Sequence, residues 1–486
     1  MSKEILNLEP KMLWKHFYSL TQIPRPSKKE ERIREFVKRY GENLGLETIV
    51  DEIGNVIIKK PATAGMENRK GVILQGHMDM VPQKNSDSNH NFEKDPIDAY
   101  VDGDWVTARG TTLGSDNGIG VAAGMAILES DDIAHGPIEV FVTTDEETGM
   151  TGAINVKLGV LDGDILLNLD SEDEGELYIG CAGGVDTNIK YNYKEQAVPG
   201  GMTAFNLSVK GLKGGHSGLD IHLGKGNACL IINKVMQEAA DKFGLRLADI
   251  NAGSLRNAIP REAFAEVVVP KEYENTFLNY IREIEKSEKE IYQAIDPDLA
   301  IVAEATDLPS VVLHKDIQSG LFTGVANCPN GVIAYNKDMP DVPETSSNLA
   351  IIKNNEGVIE VACLTRSAID SERDVVAKKI ADNFRENGAE VSHSGAYPGW
   401  KPNVNSQILE TMKEVYNNKY GKIPAVKIIH AGLECGILGA TYTNWDMISF
   451  GPTIRFPHSP DEKVNIATVQ KFWDFLVETL KNIPVK

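Results

Sequence analysis

The chain is short of cysteine, short of bases relative to acids, and free of long apolar runs, and each shortage excludes a class of protein. Its five cysteines (Cys181, Cys229, Cys328, Cys363 and Cys435) among 486 residues are odd in number and show no CxxC spacing. Neither a disulfide framework nor a thiolate zinc site is expected; reduced and mostly buried thiols are. The 50 Lys and Arg stand against 70 Asp and Glu, a formal charge of -20, which repels a nucleic-acid backbone or an anionic membrane surface. No stretch approaches the roughly 20 consecutive apolar residues of a membrane span. Residues 1–7, Met-Ser-Lys-Glu-Ile-Leu-Asn, lack the apolar core of a signal peptide. The expectation is a cytoplasmic protein with neither a nucleic-acid nor a membrane partner. Internal repeats and low-complexity tracts are also missing.

What is present is a globular composition, 42% hydrophobic, in a chain too long for one ordinary core, so two domains are expected. Helix-like and strand-like patterns alternate at first: helix near 28–43, strand 72–75, helix 119–129, strands 138–142 and 165–169. That alternation reads as an α/β sheet covered by helices. After Gly183-Gly184 the texture changes to alternating segments such as 203–209, a helix near 227–242, a strand 264–269, a charged helix 272–292, a strand 358–364 and an amphipathic helix 372–384. This reads as a separate α+β unit closing near Tyr397-Pro398-Gly399. From Asn405 the α/β texture resumes, with helix 406–420, strand 426–429, a helix after Gly432, strand 447–450 and a closing helix 466–483. The expected fold is a discontinuous α/β domain with a mixed sheet, residues 1–186 and 400–486, into which 187–399 is inserted.

Five segments carry the chemistry. Gly76-His77-Met78-Asp79 ends the apolar run Val72-Ile73-Leu74; Asp116 lies in Gly114-Ser115-Asp116-Asn117-Gly118; Glu146-Glu147 follow Val140-Phe141-Val142; Asp170 follows 165–169; His458 lies in Phe456-Pro457-His458-Ser459-Pro460. Neutral imidazoles and carboxylates suit zinc, and a carboxylate-rich set suits two metals sharing a bridge. In an extended backbone His77 and Asp79 face the same side, so Asp79 is placed to accept the second ring N–H and set its tautomer. Adjacent glutamates beside a metal divide the work, one ligating and the other taking a proton from water. Taken singly each is bland: a surface histidine, a solvated loop, a turn or cap aspartate.

Together, Gly-His-Met-Asp-Met-Val-Pro at 76–82, Gly-Ser-Asp-Asn-Gly at 114–118, Thr-Asp-Glu-Glu-Thr-Gly at 144–149, Asp170, Gly-Gly-His-Ser-Gly at 214–218 and His458 resemble the M20 metallopeptidases, and within them the aminoacyl-histidine (Xaa-His) dipeptidases. The motifs span nearly the whole chain. The resemblance implies a catalytic domain with an inserted lid. It implies that His77 and Asp170 hold one zinc, Glu147 and His458 the other, with Asp116 bridging, cobalt or manganese accepting the same ligands. Glu146 is then the general base, the Asp116-Asn117 peptide is cis, and His216 is the donor to the tetrahedral oxygen. Asn257 resembles the family's substrate-contacting asparagine. Arg366 offers a fork for a terminal carboxylate, its bland reading being a surface ion pair. Gly432 and Glu434 sit where a strand passes into a helix, so amides there suit a carboxylate, although Leu433-Glu434 departs from the Gly-Thr-Asp pattern of many relatives.

The implied activity is hydrolysis of unblocked dipeptides with C-terminal histidine, including β-Ala-His, and the resemblance also implies a homodimer. A tripeptidase or an N-acyl amino acid deacylase is the alternative within the family, and a metal-bearing binding protein without catalysis the alternative outside it. Gly118-Ile119-Gly120-Val121-Ala122-Ala123-Gly124 has the wrong last spacing and no preceding strand for a dinucleotide loop. His222, His393 and His430 read as structural, His430 with a place near the cleft. The charged run 283–290 reads as a solvated helix face.

Overall fold

The computed structural model describes residues 3–355 and 357–486. The chain divides into two compact units, one of residues 1–180, 400–428 and 433–486, the other of 181–399 and 429–432.

The first unit is built on an eight-stranded mixed sheet in the spatial order Glu47–Val50, Val56–Lys60, Ile138–Thr143, Val72–His77, Ile165–Asn168, Asp446–Ser449, Glu176–Cys181, Ala425–Ile429. Val72–His77 lies parallel to both Ile138–Thr143 and Ile165–Asn168, and Asp446–Ser449 continues the parallel set. These central strands are buried along their whole length, which is why they read as continuous apolar runs rather than as alternation. Helix Ser115–Glu129 is buried almost throughout and packs against helix Lys11–Thr21, which buries Trp14 and Phe17. Its start differs from the expected 119 because residues 116 and 117 leave helical geometry while the hydrogen-bonded turns continue around them. The glycines of 118–124 therefore lie inside a helix. Asn465 caps the last helix, Ile466–Lys481, by accepting from the amide of Thr468, as an N-cap side chain should. A small sheet pairs Ile454–Arg455 with Lys463–Asn465 and then Trp105–Ala108 and Ala99–Asp102; its first hairpin carries His458 in the connecting loop.

The second unit is an antiparallel sheet ordered Ala300–Thr306, Met202–Lys210, Ala263–Pro270, Arg246–Ala252, Pro343–Asn355, Val358–Ser367, Gly183–Asn192, Glu390–Tyr397, with Gly331–Tyr335 added beside Pro343–Asn355. Helices Ala228–Phe243, Glu274–Tyr292, Lys315–Ala326 and Asp370–Glu386 contribute Ile232, Phe277, Leu321 and Phe384 to one core with Phe205 and Val267. The expected start of the insert at 187 falls inside the strand Gly183–Asn192. That strand pairs over its full length with Val358–Ser367, so the unit begins at Cys181. It also takes 429–432, because the amide of Ala182 bonds to the carbonyls of Ile429 and Ala431. Among the described residues no helix is long and apolar enough to cross a membrane.

Candidate functional site

The parallel strands end together, and their ends carry the titratable cluster. His77 closes Val72–His77, Asp170 follows Ile165–Asn168, and Glu146 and Glu147 open the short helix Glu146–Gly149 after Ile138–Thr143. Asp116 enters from the start of helix Ser115–Glu129, and the peptide that follows it is cis. His458 has a left-handed backbone, φ 58°, which a non-glycine residue adopts only where surrounding structure enforces it.

His77 Nε2 lies 3.0 Å from Asp116 Oδ1 and 3.5 Å from Asp170 Oδ1. On the other side His458 Nε2 lies 3.2 Å from Asp116 Oδ2 and 2.9 Å from Glu147 Oε2. Two three-residue groups therefore share Asp116, one oxygen facing each imidazole: His77, Asp116 and Asp170, and Asp116, Glu147 and His458. Glu146 is grouped with His77 and Glu147.

Burial raises the carboxyl of Asp170 to about 7 against the pull of His77. Burial likewise holds Glu146 well above the usual carboxylate range, with Asp170, Glu434 and Glu147 adding to it. Hydrogen bonds that its ring donates to the carboxylates of Asp116 and Glu147 raise His458 to about 11. Glu147 Oε1 is buried without a partner. A pocket of converging carboxylates and imidazoles with an orphaned oxygen fits two divalent cations, each offered nitrogen and oxygen donors. A further carboxylate group, Glu30, Asp79 and Asp145, also comes within 4.8 Å. Its oxygens already accept from the amides of Lys28, Glu146 and Glu147 and the hydroxyls of Thr148 and Thr151.

Asp79 does more than face the ring. Its Oδ1 lies 3.4 Å from His77 Nδ1, and its two oxygens accept from the amides of Glu146 at 3.0 Å and Glu147 at 3.3 Å. One carboxylate thus ties the first imidazole to the glutamate turn. Asn117 ties three segments: its Nδ2 donates to Leu169 O at 2.7 Å, and its Oδ1 presses on Gly76, where an added Cβ would meet it at 2.2 Å. Glycine is required next to His77 for that close approach.

A buried polar layer lies one pleat beneath the cluster. Gln75 and His77 share a strand face, being two residues apart. Gln75 Nε2 donates to Glu434 Oε2 at 2.6 Å, and Gln75 Oε1 accepts from Asn168 Nδ2 at 2.5 Å. Asn168 accepts from Ser449, whose hydroxyl meets that of Ser171 at 2.6 Å. Glu434 joins this layer: it is 1% exposed, its Oε2 accepts from Gln75 and Thr143 while its Oε1 is buried without a partner, and burial raises it to about 7.

In the second unit, His216 and Arg366 are neighbours. The amides of Gly218 and Leu219 donate to His216 Nδ1 at 3.2 and 3.0 Å, so the ring proton sits on Nε2. Burial, with Arg366 next in weight, lowers this histidine to about 4, leaving a neutral donor. Arg366 is 5% exposed. Its Nε donates to Ser217 Oγ at 3.3 Å and its Nη1 to Tyr397 Oη at 2.8 Å, in place of a surface ion pair. Asn257 is exposed in the loop before Ala258–Ile259, and its carbonyl accepts from the amide of Ser217. Gly432 is half-buried in the bend before helix Glu434–Thr441. His430 Nε2 meets Ser346 Oγ at 2.7 Å, and His393 Nδ1 meets Thr187 Oγ1 at 3.1 Å, both within the fold of this unit.

Three acidic or basic residues at the first unit's site escape sequence reading. Glu172, two residues past Asp170, is raised to about 9 by burial and then by Asp116 and Asp170. Arg25 and Glu462 are buried against the backbone of residues 113–116. Arg25 stands between two prolines and Glu462 four residues after His458, spacings that carry no signal alone.

A profile of Peptidase family M20/M25/M40 matches residues 73–482. The chain is 44% identical over 483 residues to the cytosol non-specific dipeptidase of Escherichia coli (strain K12), covering 99% of this chain and all of that one. It superposes on the crystal structure of aminoacylhistidine dipeptidase from Vibrio alginolyticus with a TM-score of 0.92 and 48% identity, over 100% of this chain and 99% of that one. A tripeptidase from Staphylococcus aureus shares the fold at a TM-score of 0.57 and 17% identity, over 98% and 99% of the two chains.

Proposed function

The chain belongs to peptidase family M20/M25/M40 and is a dipeptidase, and from that premise we propose that it is a di-zinc enzyme cleaving unblocked dipeptides, Xaa-His and β-Ala-His among them. The observation that carries the metal reading is the sharing of Asp116, whose two oxygens face His77 at 3.0 Å and His458 at 3.2 Å. In this reading His77, Asp116 and Asp170 hold one ion and Asp116, Glu147 and His458 the other. When bound, the ions supply Lewis acidity, lowering the pKa of a water and polarising the scissile carbonyl.

Glu146 then takes the proton from that water and returns it to the leaving amine. Its burial among His77, Asp170 and Glu147 supports a carboxylate that holds a proton at moderate pH and gives it up again. Asp79 orients the His77 ring and, through the amides of Glu146 and Glu147, the base itself. His216, a neutral Nε2–H donor, serves the oxygen on which negative charge develops. Arg366 and Asn257 read the substrate, the guanidinium pairing with its terminal carboxylate. A homodimer is part of the same proposal, and sedimentation of the pure chain tests it.

Hydrolysis of β-Ala-His and a panel of Xaa-His dipeptides, with and without a chelator, tests the activity; full turnover after metal removal refutes it. Tripeptides and N-acetylated amino acids in the same panel separate the family's other specificities. Glu146→Ala lowers turnover by 10²–10⁴-fold, the usual worth of a general base, with both metals retained; substantial residual turnover refutes the base assignment.

A further inference from the structure

We infer that Arg25 and Glu462 are positioning residues of the metal centre: together they clamp the loop 113–116 from both sides and set Asp116 against each imidazole in turn. The inference rests on the dinuclear reading above and adds to it the residues that decide whether one aspartate reaches both ions.

The geometry is one-sided at each end of the loop. Glu462, 2% exposed, accepts five hydrogen bonds. The amides of Leu113 and Gly114 reach Oε2 at 2.8 and 3.0 Å; the amide and hydroxyl of Ser115 reach Oε1 at 2.7 and 2.6 Å, and the amide of Asp116 at 3.3 Å. Its own amide donates to Ser459 O at 3.0 Å, closing the turn that begins beside His458. Glu462 thus joins the Asp116 loop to the His458 segment, parts of the chain more than 300 residues apart.

Arg25, also 2% exposed, works on the carbonyl side. Its Nη1 donates to Met78 O at 3.1 Å and Asp79 O at 2.9 Å, and its Nη2 donates to Gly114 O. It therefore joins the same loop to the segment after His77. Gly114 has φ 73°, and a Cβ there would meet the guanidinium at 2.5 Å, so side chain and loop are fitted to each other.

A buried cation on the Gly114 carbonyl and a buried anion on the amides of 113–116 hold one short segment from its two polar sides. Two buried charges are costly to retain for stability alone, whereas an aspartate serving two ions must be held to within about 0.2 Å. Each charge governs one side: Arg25 the group containing His77, Glu462 the group containing His458.

The test titrates the metal-free full chain with Zn²⁺ and resolves the two binding steps by calorimetry; His458→Ala and Asp170→Asn identify which step belongs to which group. Glu462→Gln weakens the step that His458→Ala removes by 10–100-fold, the usual effect of losing a partner behind a ligand. The other step stays within threefold. Arg25→Lys, which cannot span three carbonyls with one ammonium, does the reverse. The Mn²⁺-loaded variants lose the exchange-coupled electron paramagnetic resonance signal of an aspartate-bridged pair, a readout that general loosening of the fold does not move selectively. Should either variant fail to fold by circular dichroism, Ser115→Ala removes only the 2.6 Å hydroxyl contact and weakens the His458 step in the same sense by a smaller factor. Both steps changing equally, or neither changing, overturns the inference. An unaltered chain that binds fewer than two ions overturns the dinuclear reading itself, and this inference with it.

Discussion

Replacing Gly76 by alanine perturbs one methyl group and tests how the ligand segments are joined. Gly76 carries ordinary strand geometry, so the cost comes from contact alone. The new Cβ would sit 2.2 Å from Asn117 Oδ1, roughly 1 Å inside the closest approach that a carbon and an oxygen tolerate. Asn117 is 2% exposed and hemmed by Gly120 and the carbonyl of Leu169 on its far side. It can yield only by breaking its 2.7 Å bond to Leu169 O. Overpacking costs about 1–3 kcal/mol, and stranding a buried acceptor costs about 1–3 kcal/mol more. We expect a loss of about 2–6 kcal/mol in urea unfolding of the metal-free protein. Because Asn117 follows Asp116 and Leu169 precedes Asp170, the strain passes to two of the proposed ligands, and turnover falls by about 10²-fold for a displacement near 1 Å. Gly200→Ala, whose Cβ meets nothing within 4 Å, is the control. A Gly76→Ala midpoint equal to that of the control, with metal binding unchanged, refutes the reasoning.

Other outcomes follow from the same geometry. In the metal-free protein burial raises Asp170 and Glu434 to about 7, so these groups bind protons more tightly folded than unfolded. Their contribution is full below the unfolded value near 4 and is lost as pH rises through about 7. The metal-free Tm should fall between pH 5 and 8 and the rise on adding Zn²⁺ should grow; a metal-free Tm that climbs over that window contradicts this. His216→Ala should lower kcat 10²–10³-fold, the worth of one oxyanion donor, with metal content intact; a loss under threefold removes His216 from the reaction. Arg366→Met should raise KM for dipeptides about 10–100-fold, as for a charged hydrogen bond, with kcat little changed. The corresponding dipeptide amides should show no such difference; an equal loss on the amides shows that Arg366 reads something other than the carboxylate.

Much of this was legible in the sequence, for physical reasons that differ by element. The central strands 72–77, 138–143 and 165–168 are buried on both faces, so their apolar runs announce them without help from periodicity. His77, Glu146, Glu147 and Asp170 sit where those runs end, because side chains converge at strand termini, whereas Asp116 and His458 come from a helix start and a hairpin loop. The start of the second unit was less legible. Gly183-Gly184 looks like a break, yet both residues pair in the strand Gly183–Asn192, where glycines 183 and 184 leave room for the chain around Tyr397. Burial of charge was not legible at all. Arg25 and Glu462 lie in polar stretches that look solvated, and only their partners far along the chain, such as Glu462 on the amides of 113–116, give them a reason to be inside.

The hydrogen-bonded layer of Thr143, Gln75, Asn168, Ser449 and Ser171 sets a condition on moving this centre elsewhere. An engineer who transplants the five proposed ligand side chains onto another parallel sheet would place imidazoles and carboxylates directly on hydrocarbon. Here each strand end changes from apolar to amide or hydroxyl one step before it turns ionic, and neighbouring strands make that change at the same depth. The portable unit is two storeys tall, and a graft that carries only the upper one would bring the ligands without their foundation.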